Sequence, residues 1–591
     1  MHLSRITIAN FRNFSRLDVQ LAGNVVVFGE NRVGKSNLLY AMRLVLDPSL
    51  PDTARHLSIS DFWDGLEDRT RDDKIAVSVE ITDFEADFDI LAVLTDYRLD
   101  DDPHTVRLTY EFRAREELAR QPHSEEDYEF VCYGGQDEAM RFGYELRNRI
   151  RLDVLHALRD AEGDLAVWRR SPIRPLLEKA FGRIAQQDLA VISDAIRQAS
   201  DEVTRLDDVE QLRENVANRF SEISGPRQDI KLDLGFSPIE ASRLHRNIRL
   251  LIDDGERGIR DASLGSANLV FLSLKALELE QSIVDGSRNH TVLAIEEPEA
   301  HLHPHLQRSV YRHFFEGLDA ARGDPVSVVL TTHSPHIASV TPLRSVVLLK
   351  DSADQGTVGS STAALDLTDT EQEDLGRYLD VTRAEMLFAR GILLVEGEAE
   401  RFLLPVFAET LDVDLDHLGI SVCSVGGTHF GTYAKFLTLL GIPFAVITDR
   451  DPTNAGDRGL ARARRLLQTV RPNETSRDLD SELGADGAHL EVLAEANGIF
   501  LNHHTLEVDL YKGGFADPVL TTLAEAGFGQ HRRTEIQEWM AEPERADLRR
   551  LLELVNFVGK GRFAQRLAPL LADREPPEYI AKAITFVADR V

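Results

Sequence analysis

Apolar and polar residues alternate from the start of the chain, and Leu3-Ser4-Arg5-Ile6-Thr7-Ile8 predicts a strand with one buried face. Residues 24–28 form a short, nearly all-apolar run that stops at Gly29, the pattern of a strand buried on both faces. Residues 35–46 read as a helix, ended by Pro48. Further strands are expected over 74–82, 105–112 and 230–234. Between 147 and 221 the pattern turns helical and charged, which predicts a helical insert carrying a dimer contact. A long apolar helix over 268–280 precedes strands at 291–295 and 326–331. Residues 351–369 are rich in Ser, Thr, Gly and Asp and predict a loop. A second α/β unit opens at Gly391 and continues through strands near 420–424 and 444–448; from about residue 532 the chain is expected to be helical. The division implied is an α/β domain over 1–146 and 222–385, interrupted by the insert at 147–221, then a second α/β domain with C-terminal helices over 386–591.

A chain of 591 residues exceeds what one hydrophobic core supports, so several domains are expected. No run approaches the roughly 18 apolar residues of a membrane span, and two cysteines, Cys132 and Cys423, build neither a disulfide framework nor a zinc site. A cytoplasmic protein without a membrane partner is the expectation. The net charge of −32 argues against a protein that coats nucleic acid broadly. A local basic groove is still compatible with it, because exposed charges more than about 10 Å apart are largely screened at cellular salt.

Two stretches carry chemistry. The first, Gly29-Glu30-Asn31-Arg32-Val33-Gly34-Lys35-Ser36, fits GxxxxGKS between a strand and a helix. There the backbone N–H groups from Gly29 through Asn31 to Gly34 would cradle phosphates, Lys35 would reach the β- and γ-phosphates, and Ser36 would ligate Mg²⁺. Downstream, Leu293-Ala294-Ile295-Glu296-Glu297-Pro298-Glu299 is an apolar strand ending in paired carboxylates. Glu296 is the candidate for the Mg²⁺ shell and Glu297 for polarising the attacking water. His333, ending the next strand, is positioned to sense the γ-phosphate. Ser263 and Gly265, at the start of the long apolar helix, suit contact with a phosphate held by an opposing subunit. Asp61-Phe62 is a weak positional candidate for a further nucleotide contact, and His301, His303 and His305 read as structural rather than metal-binding.

The second stretch is acidic. Glu396 follows four apolar residues at a strand end, Glu400 lies four residues on near a helix start, and Asp449 and Asp451 follow the apolar run 442–447. Glu507 and Asp509 offer more oxygens. Carboxylates at this density repel one another unless cations hold them. Oxygen-only donors favour Mg²⁺ or Mn²⁺ over zinc. Such a cluster suits a two-metal site acting on a phosphodiester, with Glu396, Glu400, Asp449, Asp451 and Glu507 as candidate ligands. Gly426 and Gly427, between the acidic motifs, sit where a phosphate could lie.

The order of the first set, with Ile8-Ala9-Asn10-Phe11-Arg12-Asn13-Phe14 before it, resembles the ABC ATPases of DNA repair and chromosome maintenance, although Ser263-Leu264-Gly265-Ser266-Ala267 departs from the usual LSGGQ. Glu396-Gly397 with Asp449-Arg450-Asp451 resembles a Toprim domain. Together with residues 295–304 and 377–383, the whole chain resembles the overcoming-lysogenization-defect (OLD) family, which includes the nuclease subunit of the Gabija anti-phage system. The resemblance implies an ATP-regulated, metal-dependent DNA endonuclease in defence or repair, working as a homodimer or larger homo-oligomer, with a UvrD-type helicase as a candidate partner. It also implies a catalytic lysine beyond the Toprim core, matched by Lys560; by residue type alone a solvated surface lysine is the commoner case. The rival expectations are a non-catalytic DNA-end clamp and a strand-passage enzyme.

Overall fold

The computed structural model describes the chain except residues 67–68, 119, 157–159, 225–233, 235–240, 287, 301, 318–324, 353, 369, 374–383, 451, 454–455 and 472–486. It divides into two compact units, one of Met1–Ala157 with His290–Val591, the other Leu158–Asn289.

The first unit carries an eleven-stranded sheet made of β1 (His2–Phe11), β2 (Phe14–Gln20), β3 (Val25–Gly29), β4 (Ile75–Thr82), β5 (Val106–Ala114), β6 (Tyr128–Gly134), β7 (Ile150–Leu155), β8 (His290–Glu296), β9 (Val326–Thr331), β10 (Val346–Ser352) and β11 (Gly356–Ser361). Their spatial order is β6-β5-β4-β1-β2-β11-β10-β3-β9-β8-β7. The run β10-β3-β9-β8-β7 is parallel. Every residue of β3 is buried, which is why its sequence is continuously apolar rather than alternating. The antiparallel run β6-β5-β4-β1-β2 shows the alternation that Leu3, Ile6 and Ile8 announce. Helix α1 (Lys35–Leu46) starts at the end of the loop after β3 and buries Leu38, Leu39, Met42 and Val45.

Three expectations meet a different structure. The insert was expected from residue 147, but β7 lies beside β8 in the main sheet. Arg151 and the buried Asp153 pair at 2.5 Å, so the segment looks charged in sequence although Ile150, Leu152 and Leu155 are buried. The loop expected over 351–369 contains β11, paired antiparallel with β10; its Ser, Thr and Gly residues fit because small side chains pack flat against β2 and the phosphate loop. The strand expected over 230–234 falls outside the described residues apart from Leu234.

The second unit is mainly helical. It includes α2 (Gln186–Thr204), α3 (Asp207–Ser224) and α4 (Leu264–Val284). Several apolar side chains of α2 and α3 remain exposed, among them Val191 at 69%, Leu212 at 55% and Val216 at 42%.

The C-terminal part of the first unit holds a parallel four-stranded sheet of β12 (Gly391–Val395), β13 (Ile420–Ser424), β14 (Phe444–Thr448) and β15 (Ile499–Leu501), in the order β13-β12-β14-β15. Around it lie α5 (Glu398–Thr410), α6 (Phe430–Leu439), α7 (Arg458–Val470), α8 (Leu506–Leu510), α9 (Lys560–Leu567) and α10 (Glu578–Ala588). All four strands run parallel, but the chain adds β13 on one side of β12 and then β14 and β15 on the other, so the strand order reverses between β12 and β14. Ligands in open α/β sheets bind outside the carboxyl ends of the strands at such a switch point.

Candidate nucleotide and carboxylate sites

At the end of β3 the chain must turn into α1 with its N–H groups pointing inward. Gly34 allows this with φ +91°, and a Cβ there would lie 2.1 Å from Asn13 Nδ2. The loop is clamped from below. Asn13 Nδ2 donates to the Val33 carbonyl at 2.9 Å, and Asn37 Nδ2 donates to Asn13 Oδ1 at 2.7 Å. Arg12 joins Asn37 Oδ1 at 2.8 Å to Asp61 Oδ1 at 2.9 Å. Thr357 of β11 donates to the Val33 carbonyl at 2.9 Å. Lys35 is buried, with Nζ donating to the carbonyls of Gly29 and Glu30, each at 2.9 Å. Burial lowers its pKa, and the carboxylates of Glu297 and Glu299 oppose that. Asn31 and Ser36 lie exposed at the mouth of the loop.

Glu296 ends β8 and pairs with His156 Nδ1 at 2.9 Å. Glu297, one residue on, has φ +41°, a conformation rarely adopted by a side chain that is not glycine and often found at functional sites. Its Oε1 lies 3.7 Å from His333 Nε2. Burial lowers the His333 pKa, Lys35 lowers it further and Glu297 raises it, so these three side chains share one pocket of charge. Glu299, a residue without a role in the sequence reading, ties the two loops together: it accepts from the His333 N–H at 2.6 Å and from Thr332 Oγ1 at 2.9 Å. Burial raises its pKa. Ser263 caps α4 by accepting from the Ser266 N–H at 3.2 Å, and Gly265 lies in that first turn; both belong to the second unit. His303 and His305 stack on each other with centroids 5.7 Å apart, and His301 is outside the described residues.

The acidic residues gather at the switch point between β12 and β14. Glu396, just past β12, accepts through Oε1 from Thr448 Oγ1 at 2.6 Å, the Asp449 N–H at 2.9 Å and the Arg462 guanidinium at 2.7 Å. Asp449, just past β14, is hydrogen-bonded by Asn502 Nδ2. Burial, then Glu396 and Glu400, push the Asp449 carboxyl up to about 8. Glu400, in the first turn of α5, accepts from the Gly397 N–H at 3.2 Å, and burial followed by Glu507 raises its pKa. Glu507 in α8 is 2% exposed in its side chain, with Lys560 Nζ 3.0 Å from Oε1 and 3.2 Å from Oε2. Burial alone would lower the Lys560 pKa, but Glu507, Asp449 and Glu400 together raise it. Tyr579 at the start of α10 is shifted well upward by burial and then by Asp509, Asp449, Glu400 and Glu507. Asp451 lies outside the described residues.

Two residues of this site escape a reading of acids alone. Asn502 bridges Asp449 to the backbone, its Oδ1 accepting from the Arg450 N–H at 2.8 Å. Arg462 reaches from α7 into the cluster; the signal was the recurrence of Arg458, Arg462 and Arg465 on one helical face. Gly459 lets α7 pass this closely, since a Cβ there would lie 2.6 Å from the Arg450 Cα.

The donor set suits a hard divalent cation: every candidate donor is a carboxylate oxygen. The buried Thr505 Oγ1 and Tyr579 hydroxyl have no hydrogen-bond partner among the described residues. Among those residues no three acidic, imidazole or thiol side chains close on one point, so the cluster is electrostatically coupled but more open than a finished cage.

Fold and sites together define a class: a P-loop ATPase-type domain joined to a Toprim-type α/β domain. A family model described as "AAA domain, putative AbiEii toxin, Type IV TA system" matches residues 25–339. A second, "Overcoming lysogenization defect protein-like, TOPRIM domain", matches residues 387–451. The chain is 26% identical to the OLD nuclease of Thermus scotoductus over 539 residues, 88% of this chain and 94% of that protein. It is 25% identical to endonuclease GajA of Bacillus cereus over 489 residues, 78% of this chain and 77% of that one. The solved C-terminal region of the Burkholderia pseudomallei OLD protein matches at 39% identity, with a TM-score of 0.31, covering 34% of this chain and 98% of that one. The chain belongs to the overcoming-lysogenization-defect family. No helix among the described residues is long and apolar enough to cross a membrane.

Proposed function

We propose that this chain is a divalent-metal-dependent DNA endonuclease whose ATPase-family domain binds ATP and regulates cleavage, in anti-phage defence or DNA repair. The observation that carries the reading is the gathering of Glu396, Glu400, Asp449 and Glu507 with Lys560 at the switch point of the parallel sheet. Four carboxyl groups against Lys560 and Arg462 make a site that takes up cations as the carboxyls give up their protons, and a phosphodiester approaches only once the cations are present. Glu396, Glu400, Asp449 and Glu507, with Asp451, would hold Mg²⁺ or Mn²⁺; such ions acidify an attacking water and offset charge on the leaving oxygen.

The chain's own residues supply the rest. Arg462 and Thr448 fix the Glu396 carboxylate, and Asn502 fixes Asp449. Lys560 donates charge toward the phosphate as negative charge builds on it. In the nucleotide site, Lys35 would exchange its two loop carbonyls for phosphate oxygens, Glu297 would orient the water, and His333 would sense the γ-phosphate. Ser36 and Glu296 would hold the Mg²⁺ that accompanies ATP.

An ATPase of this kind works with two nucleotide domains facing each other, which supports a homodimer or larger homo-oligomer. The exposed apolar side chains of α2 and α3, among them Val191, Leu212 and Val216, support a contact there. A UvrD-type helicase is a proposed partner on the family resemblance alone.

The test is incubation of supercoiled plasmid with the full chain, with Mg²⁺ or Mn²⁺ and with or without ATP. Nicked and linear products that disappear in EDTA, with no protein attached to their ends, are expected. No cleavage under any of these conditions, or a covalent protein–DNA adduct, overturns the reading.

A further inference from the structure

Next to the carboxylates, on the β13 side of β12, lies a separate cavity of about 380 Å³. The loop after β13, with Gly426 and Thr428, forms one wall, and the first turn of α6 at His429 forms the next. Arg462 and Arg465 of α7 close the third side. The loop is fixed to the catalytic strand: the Val425 N–H donates to the Val395 carbonyl and the Gly427 N–H to the Glu396 carbonyl, each at 2.9 Å. Arg462 is the shared wall, touching Glu396 on one side and lining the cavity on the other.

Three features give this cavity a preference for an anion. Among the described residues no side chain caps α6, and its start, at His429, Gly431 and Thr432, lines the cavity, which brings uncapped N–H groups and the positive end of the helix dipole to it. Arg465 is exposed, and among the described residues no carboxylate pairs with it; its Nε touches only the Ala461 carbonyl of its own helix, at 3.3 Å. Among the described lining residues the single acid, Glu371, is neutralised by Lys435 Nζ at 2.8 Å. The loop and first helical turn are also unobstructed, because a Cβ at Gly427 or Gly431 would meet nothing within 4 Å.

We propose that this cavity takes a non-scissile phosphate of the nucleic-acid strand, next to the one over the carboxylates. The proposal rests on the nuclease reading above. A strand whose scissile phosphate lies over Glu396 and Asp449 passes Arg462 and places a neighbouring phosphate between Arg465 and the α6 N-terminus. The subsite contributes charge and register rather than chemistry, since phosphate contacts position a backbone without reading its sequence. It would give a chain with a net charge of −32 a local positive contact for DNA, from Arg462 and Arg465 beside the acidic centre.

The test is equilibrium binding of a labelled DNA duplex over a range of salt, with Ca²⁺ in place of Mg²⁺ so that the carboxylates are filled, and with a gel to check that no strand is cut. Wild type, Arg465→Ala, Arg465→Lys and the distant exposed control Arg533→Ala are compared, with plasmid cleavage by wild type run in parallel. Arg465→Ala is expected to weaken binding by roughly five- to tenfold and to lower the salt slope by about one, the loss of one phosphate contact. Arg465→Lys should fall between, and Arg533→Ala should match wild type. If wild type cuts plasmid while Arg465→Ala binds as wild type does, this subsite is wrong and the nuclease reading stands. If wild type neither binds nor cuts, both fall. Binding of free dAMP that Arg465→Ala abolishes, with duplex affinity unchanged, would assign the cavity to a mononucleotide and overturn the strand.

Discussion

At Asp449, burial and two neighbouring carboxylates work in the same direction, and the consequence is a pH dependence of known sign. The folded chain without metal keeps this proton to about pH 8, whereas an unfolded aspartate releases it near pH 4. Between those values the native state binds more protons, so in EDTA stability falls as pH rises across that window. Melting temperature against pH should slope downward there, and Asp449→Asn should flatten the slope; an equal slope in the variant removes Asp449 as its source. Metal must displace the same proton, so the metal concentration giving half-maximal cleavage should fall as pH rises from 6.5 to 8. Lys560 differs in kind. Its ammonium is held by Glu507 and stays charged, so Lys560→Ala should lower the single-turnover cleavage rate at saturating enzyme by a large factor, on the order of 100-fold, as loss of one preorganised donor does. Recovery of the full rate at saturation would make Lys560 a binding residue only.

At the level of elements, the turns after strands decide function here. Glu297 and His333 end adjacent strands β8 and β9, so their meeting at 3.7 Å follows from parallel pairing once both strands are placed. Glu297→Gln should keep ATP binding and slow hydrolysis at least tenfold; hydrolysis at the wild-type rate would reassign the base. Asn13→Ala removes two of the hydrogen bonds beneath the loop and should weaken nucleotide binding with little effect on the hydrolysis rate at saturating ATP. The sequence made the phosphate loop, the acids at strand ends and the parallel strands legible, because each shows as local spacing or a short apolar run. Asn13, Thr357, Glu299, Asn502 and Arg462 were not legible in this way, since their partners lie between 13 and 344 residues away and polar residue types alone do not reveal pairing. Strands β7 and β11 were hidden for a related reason. Arg151 and Asp153 break the apolar pattern of β7, and Gly, Thr and Ser that of β11, so only the neighbouring strands reveal them as strands.

In the whole molecule, one contact joins the two chemistries. Arg390 Nε and Nη2 donate to the two carboxylate oxygens of Glu30 at 2.6 and 2.9 Å. Glu30 is part of the phosphate loop, its carbonyl held by Lys35. Arg390 precedes β12, whose five buried residues lead directly to Glu396. The pair is about half exposed, and exposed ion pairs contribute only about 0–1 kcal/mol, so its value to stability is small. Its geometry is nevertheless bidentate, which fixes orientation as well as distance. On the proposed function, a triphosphate would draw Lys35 from the Gly29 and Glu30 carbonyls, and Arg390 would carry the resulting shift of the loop to the strand that leads to Glu396. Coupling of this sort is a ratio: cleavage rate with ATP over cleavage rate without it. Arg390→Ala and Glu30→Gln should each bring that ratio toward one, with melting temperature changed by no more than a few degrees. The charge swap Glu30→Arg with Arg390→Glu should restore part of the ratio, because it rebuilds an ion pair at the same place. Single variants that cleave with the wild-type ratio would show that ATP reaches the carboxylate site by another route, and a swap no better than either single variant would reduce the pair to a local loop contact.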